Sequence, residues 1–254
     1  MQLQAPQIPF LIEPIVPLGG VVFMYGKSGI GKSPMSWMIA DAVSAGTSIF
    51  GMTVSAPMPV LYVDVDTRWW TIQDRWRKAN YAPKFDIAVG EGFDCLSPLW
   101  DHSPVRKALI ERHRDCGYKL VCISTLAKIH SFGFSDANAP AEVYRRWQEV
   151  FGEQCALLFI HHDKKSSAGE ELDADTAYHV RRESFSGSQQ WLDHATTALH
   201  LTRRGGGYKF LFDQVKDQGS KKIEPLKLIL NENNGVGIVE DVEDAQTQKE
   251  NWLK

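Results

Sequence analysis

Residues 26–33 read GKSGIGKS, a complete G-x-x-x-x-G-K-[ST] pattern. This pattern constrains the fold strongly because it works only between a strand and a helix. The glycines let backbone N–H groups converge on one anion at a helix N-terminus, where the helix dipole also favours negative charge. Both flanks fit. Gly19-Gly20 makes a turn, and residues 21–25 (VVFMY) form an apolar, β-favouring run of the buried parallel-strand kind. Downstream, Met35, Met38, Ile39, Ala42 and Val43 recur at helical spacing as far as Gly46. The expected ligand is ATP with Mg²⁺. Gly26, Lys27, Ser28, Gly29, Ile30 and Gly31 form the cradle, Lys32 reaches the β- and γ-phosphates and Ser33 ligates the metal. Pro34 suits the first turn of a helix but removes a backbone donor from the phosphate side.

Length and composition set the outer limits. A chain of 254 residues, 43% of them hydrophobic, suffices for one large α/β domain, expected over residues 1–238. Residues 239–254 are acidic and polar and read as a flexible tail. The formal net charge of -3 argues against a broadly basic nucleic-acid coat, so any such site must be local. Cys95, Cys116, Cys122 and Cys155 show no C-x-x-C spacing, and neither a secretory leader nor a membrane-length apolar run is evident. The expectation is a cytoplasmic protein with free thiols in or near its core.

Along the chain, strands and helices alternate. Residues 60–63 (VLYV) form a second buried strand ending at Asp64-Val65-Asp66, and residues 69–78 (WWTIQDRWRK) a helix. Ser103-Pro104 opens another helix, which Cys116-Gly117 closes. Residues 119–124 (KLVCIS) are the third strand, 141–151 a helix, and 156–160 a fourth strand ending in His161-His162. This alternation predicts a mostly parallel central sheet with helices on both faces and ligands at the carboxyl ends of the strands. Residues 163–184 are polar and lack a clear apolar period, which marks a long functional loop. A short helix, a C-terminal β-hairpin and two late strands near 227–230 and 236–239 complete the reading. Six of the eight tryptophans, Trp69, Trp70, Trp76, Trp100, Trp147 and Trp191, are scattered as core residues are.

In this order the pieces resemble the RecA-like P-loop ATPases, and within them the hexameric replicative helicases of the plasmid RepA type. The resemblance spans residues 11–219. It rests on the P-loop and its approach, VLYVDVD followed by Arg75, KLVCISTLAKIH with Asp136 and Asn138 after it, HHDKK, and SGSQQWLD leading to LTRR and QVK. It implies an ATP-hydrolysing homo-oligomer, a hexameric ring, acting on single-stranded DNA in replication of a plasmid, phage or mobile element. A replication initiator or primase is an implied partner.

The same resemblance makes Asp66 the carboxylate that polarises the attacking water; the residue also suits a helix N-cap. Asp64 either faces the other side of its strand or lies in the turn. Asp64 or Asp66 is the charge available behind the metal's ligands. His162 is implied as γ-phosphate sensor, and Lys216 with Arg203 or Arg204 as cations reaching a neighbouring subunit's nucleotide. Lys164, Lys165, Arg181 and Arg182 are candidates for DNA phosphates, and Tyr178 and Phe185 for base stacking. Ser124 stands where the pattern has a metal-supporting aspartate, which opens an alternative: a hydrolysis-impaired, nucleotide-gated scaffold or regulator.

Overall fold

A computed structural model describes residues 9–131, 136, 138–163, 185, 190–203, 209–217, 223, 225–230 and 239–241. A two-stranded ribbon, β1 (Phe10–Ile12) and β2 (Val16–Pro17), leads into β3 (Val21–Gly26), the P-loop and α1 (Lys32–Ala45). Then come β4 (Val60–Asp64), α2 (Trp69–Lys78), β5 (Asp86–Val89), α3 (Pro104–Cys116), β6 (Leu120–Ser124), α4 (Ala139–Phe151) and β7 (Ala156–His162). A short α5 (Gln190–His194) precedes β8 (Thr197–Arg203), β9 (Lys209–Asp217), β10 (Leu226–Leu230) and β11 (Val239–Asp241).

Nine of these strands form one sheet in the order β11-β10-β9-β8-β3-β7-β6-β4-β5. The run from β8 to β5 is parallel, and β9, β10 and β11 add antiparallel pairs beyond it. This is the α/β P-loop NTPase architecture, with the expected hairpin at β8 and β9.

Strand alternation divides the core into two layers. Val22, Met24, Tyr62, Cys122, Leu158 and Ile160 face α1 and α2, where Met35, Trp37, Ile39, Ile72 and Trp76 meet them. Val21, Phe23, Leu61, Val63, Ile123 and Phe159 face α3, α4 and α5, against Leu109, Val143, Trp147 and Trp191. Because central strands are buried on both faces, they read in sequence as unbroken apolar runs.

Local signals place the ends. The Ser103 hydroxyl accepts the Val105 N–H at 3.2 Å and caps α3, and Gly117 closes that helix at φ 66°. Three thiols, Cys95, Cys122 and Cys155, are buried, whereas Cys116 is exposed.

Three features depart from expectation. The edge strand β5, only half-buried along its length, carries just the short apolar run Ile87-Ala88-Val89 and was not expected. The final strand falls at Val239–Asp241, inside the segment read as tail, because β10 offers it an open edge for backbone pairing. Trp76, Trp100, Trp147 and Trp191 are core residues, but Trp69 is 43% and Trp70 66% exposed. No helix among the described residues is long and apolar enough to cross a membrane.

Candidate nucleotide site

The P-loop leaves β3 at Gly26, where a side chain has no room: a Cβ there would lie 2.3 Å from the Leu201 carbonyl oxygen on β8. Gly29 and Gly31 then take the left-handed conformation at φ 74° and 99°, the second serving as N-cap of α1. No side chain caps α1 and its first turn carries no acid, so its N-terminus keeps an uncompensated positive field. A Cβ on Gly29 would meet nothing within 4 Å, so the loop's outer side is open. Pro34 sits in the first turn of α1, and regular helix bonding begins with Met35 N–H to Gly31 oxygen at 3.1 Å. These features fit a polyphosphate.

Lys32 folds back over this loop. Its Nζ donates to the carbonyls of Gly26 and Lys27, both at 2.8 Å, and lies 3.3 Å from His162 Nδ1. Burial pulls the Lys32 ammonium down to about 8, against the opposing pull of the Asp163 charge. His162 reaches Lys32 because β3 and β7 run parallel with Gly26 opposite His162. Burial, then the Lys32 charge, pushes the His162 imidazole below its ordinary value, with Asp66 and Asp163 pulling the other way. At neutral pH the ring is therefore uncharged, and Nδ1 accepts from the ammonium. His161 points to the opposite face, buried against Phe185 at a ring separation of 4.7 Å.

The two carboxylates differ in setting. Asp64 ends β4 and is almost fully buried. Its Oδ1 accepts the N–H groups of Asp66 at 3.0 Å and Thr67 at 2.7 Å, closing the turn after β4. Oδ2 is buried with no hydrogen-bond partner, and burial raises the Asp64 carboxyl above its usual range. Asp66 does not cap α2, whose N-cap is Arg68. Instead it pairs with Lys128 Nζ at 2.7 Å, both side chains about half exposed.

Ser124 lies beside Asp64 in the β4–β6 register, almost fully buried. On the neighbouring strand the Tyr62 hydroxyl lies 2.8 Å from Ser36 Oγ, which ties β4 to α1. The neutral Ser124 hydroxyl thus sits beside the buried Asp64 carboxylate.

Lys216 turns inward, its Nζ donating to the carbonyls of Leu192 and, at 2.6 Å, Asp193. It ties β9 to the end of α5, so reaching a neighbouring nucleotide requires giving up those bonds. Arg203 ends β8, but its side chain lies outside the described residues, as do Arg204, Lys164, Lys165, Tyr178, Arg181 and Arg182. Phe185 is fully buried among Phe23, Tyr25 and His161, which corrects its assignment as a base-stacking residue.

Sequence reading missed one pair. Asp163, the residue after His162, accepts or shares a proton with His200 Nε2 at 3.2 Å, and both side chains are nearly fully buried. The Asp163 N–H donates to the same Gly26 carbonyl that Lys32 uses, and His200 stacks on Tyr25 at 4.7 Å. The pair therefore spans β3 at the root of the P-loop. The available signal was a histidine interrupting the apolar run ALHL of β8, but its partner becomes visible only when β7, β3 and β8 are known to be neighbours.

Among the described residues no three His, Cys, Asp or Glu side chains gather at metal-ligand spacing. A Mg²⁺ ion accompanying nucleotide fits other donors: the Ser33 hydroxyl at the start of α1 and the unpartnered Asp64 Oδ2. No curated protein matches the chain significantly. Residues 2–168, from the approach to β1 through the end of β7, match the sequence model of the AAA domain family. With that match covering most of the chain and the P-loop geometry described above, the protein belongs to the AAA domain family of P-loop ATPases.

Proposed function

We propose that the chain is an ATP-driven, ring-forming motor of the RepA helicase type, acting on single-stranded DNA during replication of a plasmid, phage or mobile element. The observation that carries this reading is the 3.3 Å approach of Lys32 Nζ to His162 Nδ1. It joins the residue that grips terminal phosphates to the end of the strand leading into the segment read from sequence as a long loop, of which 164–184 lie outside the described residues. A γ-phosphate competes for both groups, drawing the ammonium from Gly26 and Lys27 and taking a hydrogen bond from the imidazole. Its departure on hydrolysis restores the Lys32–His162 hydrogen bond, and the end of β7 carries the difference to the loop.

In this reading Lys32 binds the β- and γ-phosphates and Ser33 holds Mg²⁺, with Asp64 accepting from the metal's water shell. The bound metal neutralises phosphate charge. Asp66 orients and deprotonates the attacking water, with Lys128 holding the carboxylate at the end of β4. Arg203 or Arg204 from a neighbouring subunit supplies transition-state charge, and Lys164, Lys165, Arg181 and Arg182 contact DNA phosphates.

One observation favours a second reading, a nucleotide-gated scaffold with impaired hydrolysis. Ser124, buried beside Asp64, stands where the resemblance expects a metal-supporting aspartate. Steady-state Mg²⁺-ATP hydrolysis with and without single-stranded DNA separates the two. The motor reading expects DNA-stimulated turnover that Lys32→Ala abolishes. ATP binding without turnover, with hydrolysis appearing in Ser124→Asp, overturns it in favour of the scaffold.

A further inference from the structure

We propose that the solvent face of α2 is a single-strand binding surface on which Trp70 stacks a base while Arg68, Arg77 and Lys78 meet the flanking phosphates. This surface rests on the motor reading above and extends it beyond the loops.

An aromatic residue on α2 is out of place. Ile72 and Trp76 fix the buried side of the helix, and Trp69, packed edge-on against Trp76 at 5.8 Å, borders it. Trp70 lies one further step round the helix and is 66% exposed. A solvated indole of this size gains little from folding and presents its ring face to whatever binds the cations around it.

The neighbours of Trp70 define the ligand. Gln73, Asp74 and Arg77 follow it at helical spacing on the same face. Arg77 and Lys78 are largely exposed and share one acid, Asp74, at 2.6 and 2.7 Å. Arg68, exposed at the N-cap, and Arg75, exposed on the flank, add two more charges. Four cations against one acid give this helix a positive surface on a chain whose formal net charge is -3.

A protein-docking helix would repeat apolar residues at i, i+3, i+4 and i+7. Here the exposed row holds one aromatic among polar and charged side chains, the composition of a stacking platform beside a phosphate track. From Trp70 to Arg77 the helix rises by roughly 10 Å, enough for a base and its neighbouring phosphates. The surface also bears on turnover: Arg68 and Trp69 follow Asp66 closely in the chain, and the Asp64 carboxylate fixes the turn between them.

The test is fluorescence anisotropy of a labelled oligo(dT) with the full chain and ATP, across a salt series, for wild type, Trp70→Ala, Trp70→Phe and Arg68→Ala with Arg77→Ala. Trp70→Ala is expected to weaken binding at least about five-fold, with Trp70→Phe retaining most of it. The double arginine variant should flatten the salt slope by about 0.7 for each phosphate no longer neutralised. Wild type that binds DNA equally with all variants overturns this surface and leaves the motor reading standing. Wild type that binds no DNA overturns both, and a change in oligomer size with Trp70→Ala under that condition assigns the face to packing between copies.

Discussion

Lys32 Nζ and His162 Nδ1 lie 3.3 Å apart across the carboxyl ends of β3 and β7, one on the phosphate loop and the other on the strand beside it. Burial is the main control on the protonation of both groups. The ammonium disfavours a second charge on the imidazole, and burial disfavours charge on both.

This pairing predicts a pH dependence. Lys32 titrates at about 8, below an exposed lysine, so above that value the free protein loses the charge that grips phosphate. ATP affinity should fall as pH rises through about 8, with uptake of one proton on binding, measurable by calorimetry in buffers of different ionisation enthalpy. Stability runs the other way. Between about 8 and the ordinary lysine value the unfolded chain binds more protons than the folded one, so the burial penalty present below this window is relieved across it.

The Asp66–Lys128 pair predicts a separation of stability from turnover. Both side chains are about half exposed, so Lys128→Ala should change unfolding free energy by no more than about 1 kcal/mol in urea titrations. Asp66→Asn should lower kcat by about 10²- to 10⁴-fold while leaving ATP affinity within a few-fold. Equal loss of binding and turnover would assign Asp66 to holding the site rather than to proton transfer.

His200→Ala tests the pair that spans β3. Removing the imidazole leaves the Asp163 carboxylate buried without this partner, at a cost of about 2–3 kcal/mol by urea denaturation. ATP affinity should fall as well, because Asp163 and Lys32 share the Gly26 carbonyl.

Gly26→Ala should be more damaging than its size suggests. The added methyl would meet the Leu201 carbonyl oxygen at 2.3 Å, side chain against backbone with no flexible group to yield. Parting β3 from β8 is expected to cost about 1–3 kcal/mol, read as a lowered thermal midpoint.

The parallel sheet was legible because its central strands are buried on both faces, Ser103 caps α3, and Gly46, Gly117 and Gly152 end α1, α3 and α4. The alternation 21–25, 60–63, 119–124 and 156–160 lands on β3, β4, β6 and β7. The P-loop was legible because its spacing encodes a backbone shape. What sequence does not display is adjacency. Asp163 and His200 meet only because the sheet places β8 beside β3, and Asp66 finds Lys128 because the ends of β4 and β6 are neighbours. Nor does a tryptophan's identity tell whether it is covered: Trp70 and Trp76 occupy one helix, and only the sheet beneath decides which is buried.

The measurement closest to the central claim is the ratio of ADP to ATP dissociation constants in wild type and His162→Ala, at pH 7 with Mg²⁺. If His162 reads the γ-phosphate, wild type favours ATP, and losing a hydrogen bond to that charged group erases roughly ten-fold of the preference. An unchanged ratio in His162→Ala, with ATP still bound, would contradict the account and leave Lys32 as the end of the phosphate site.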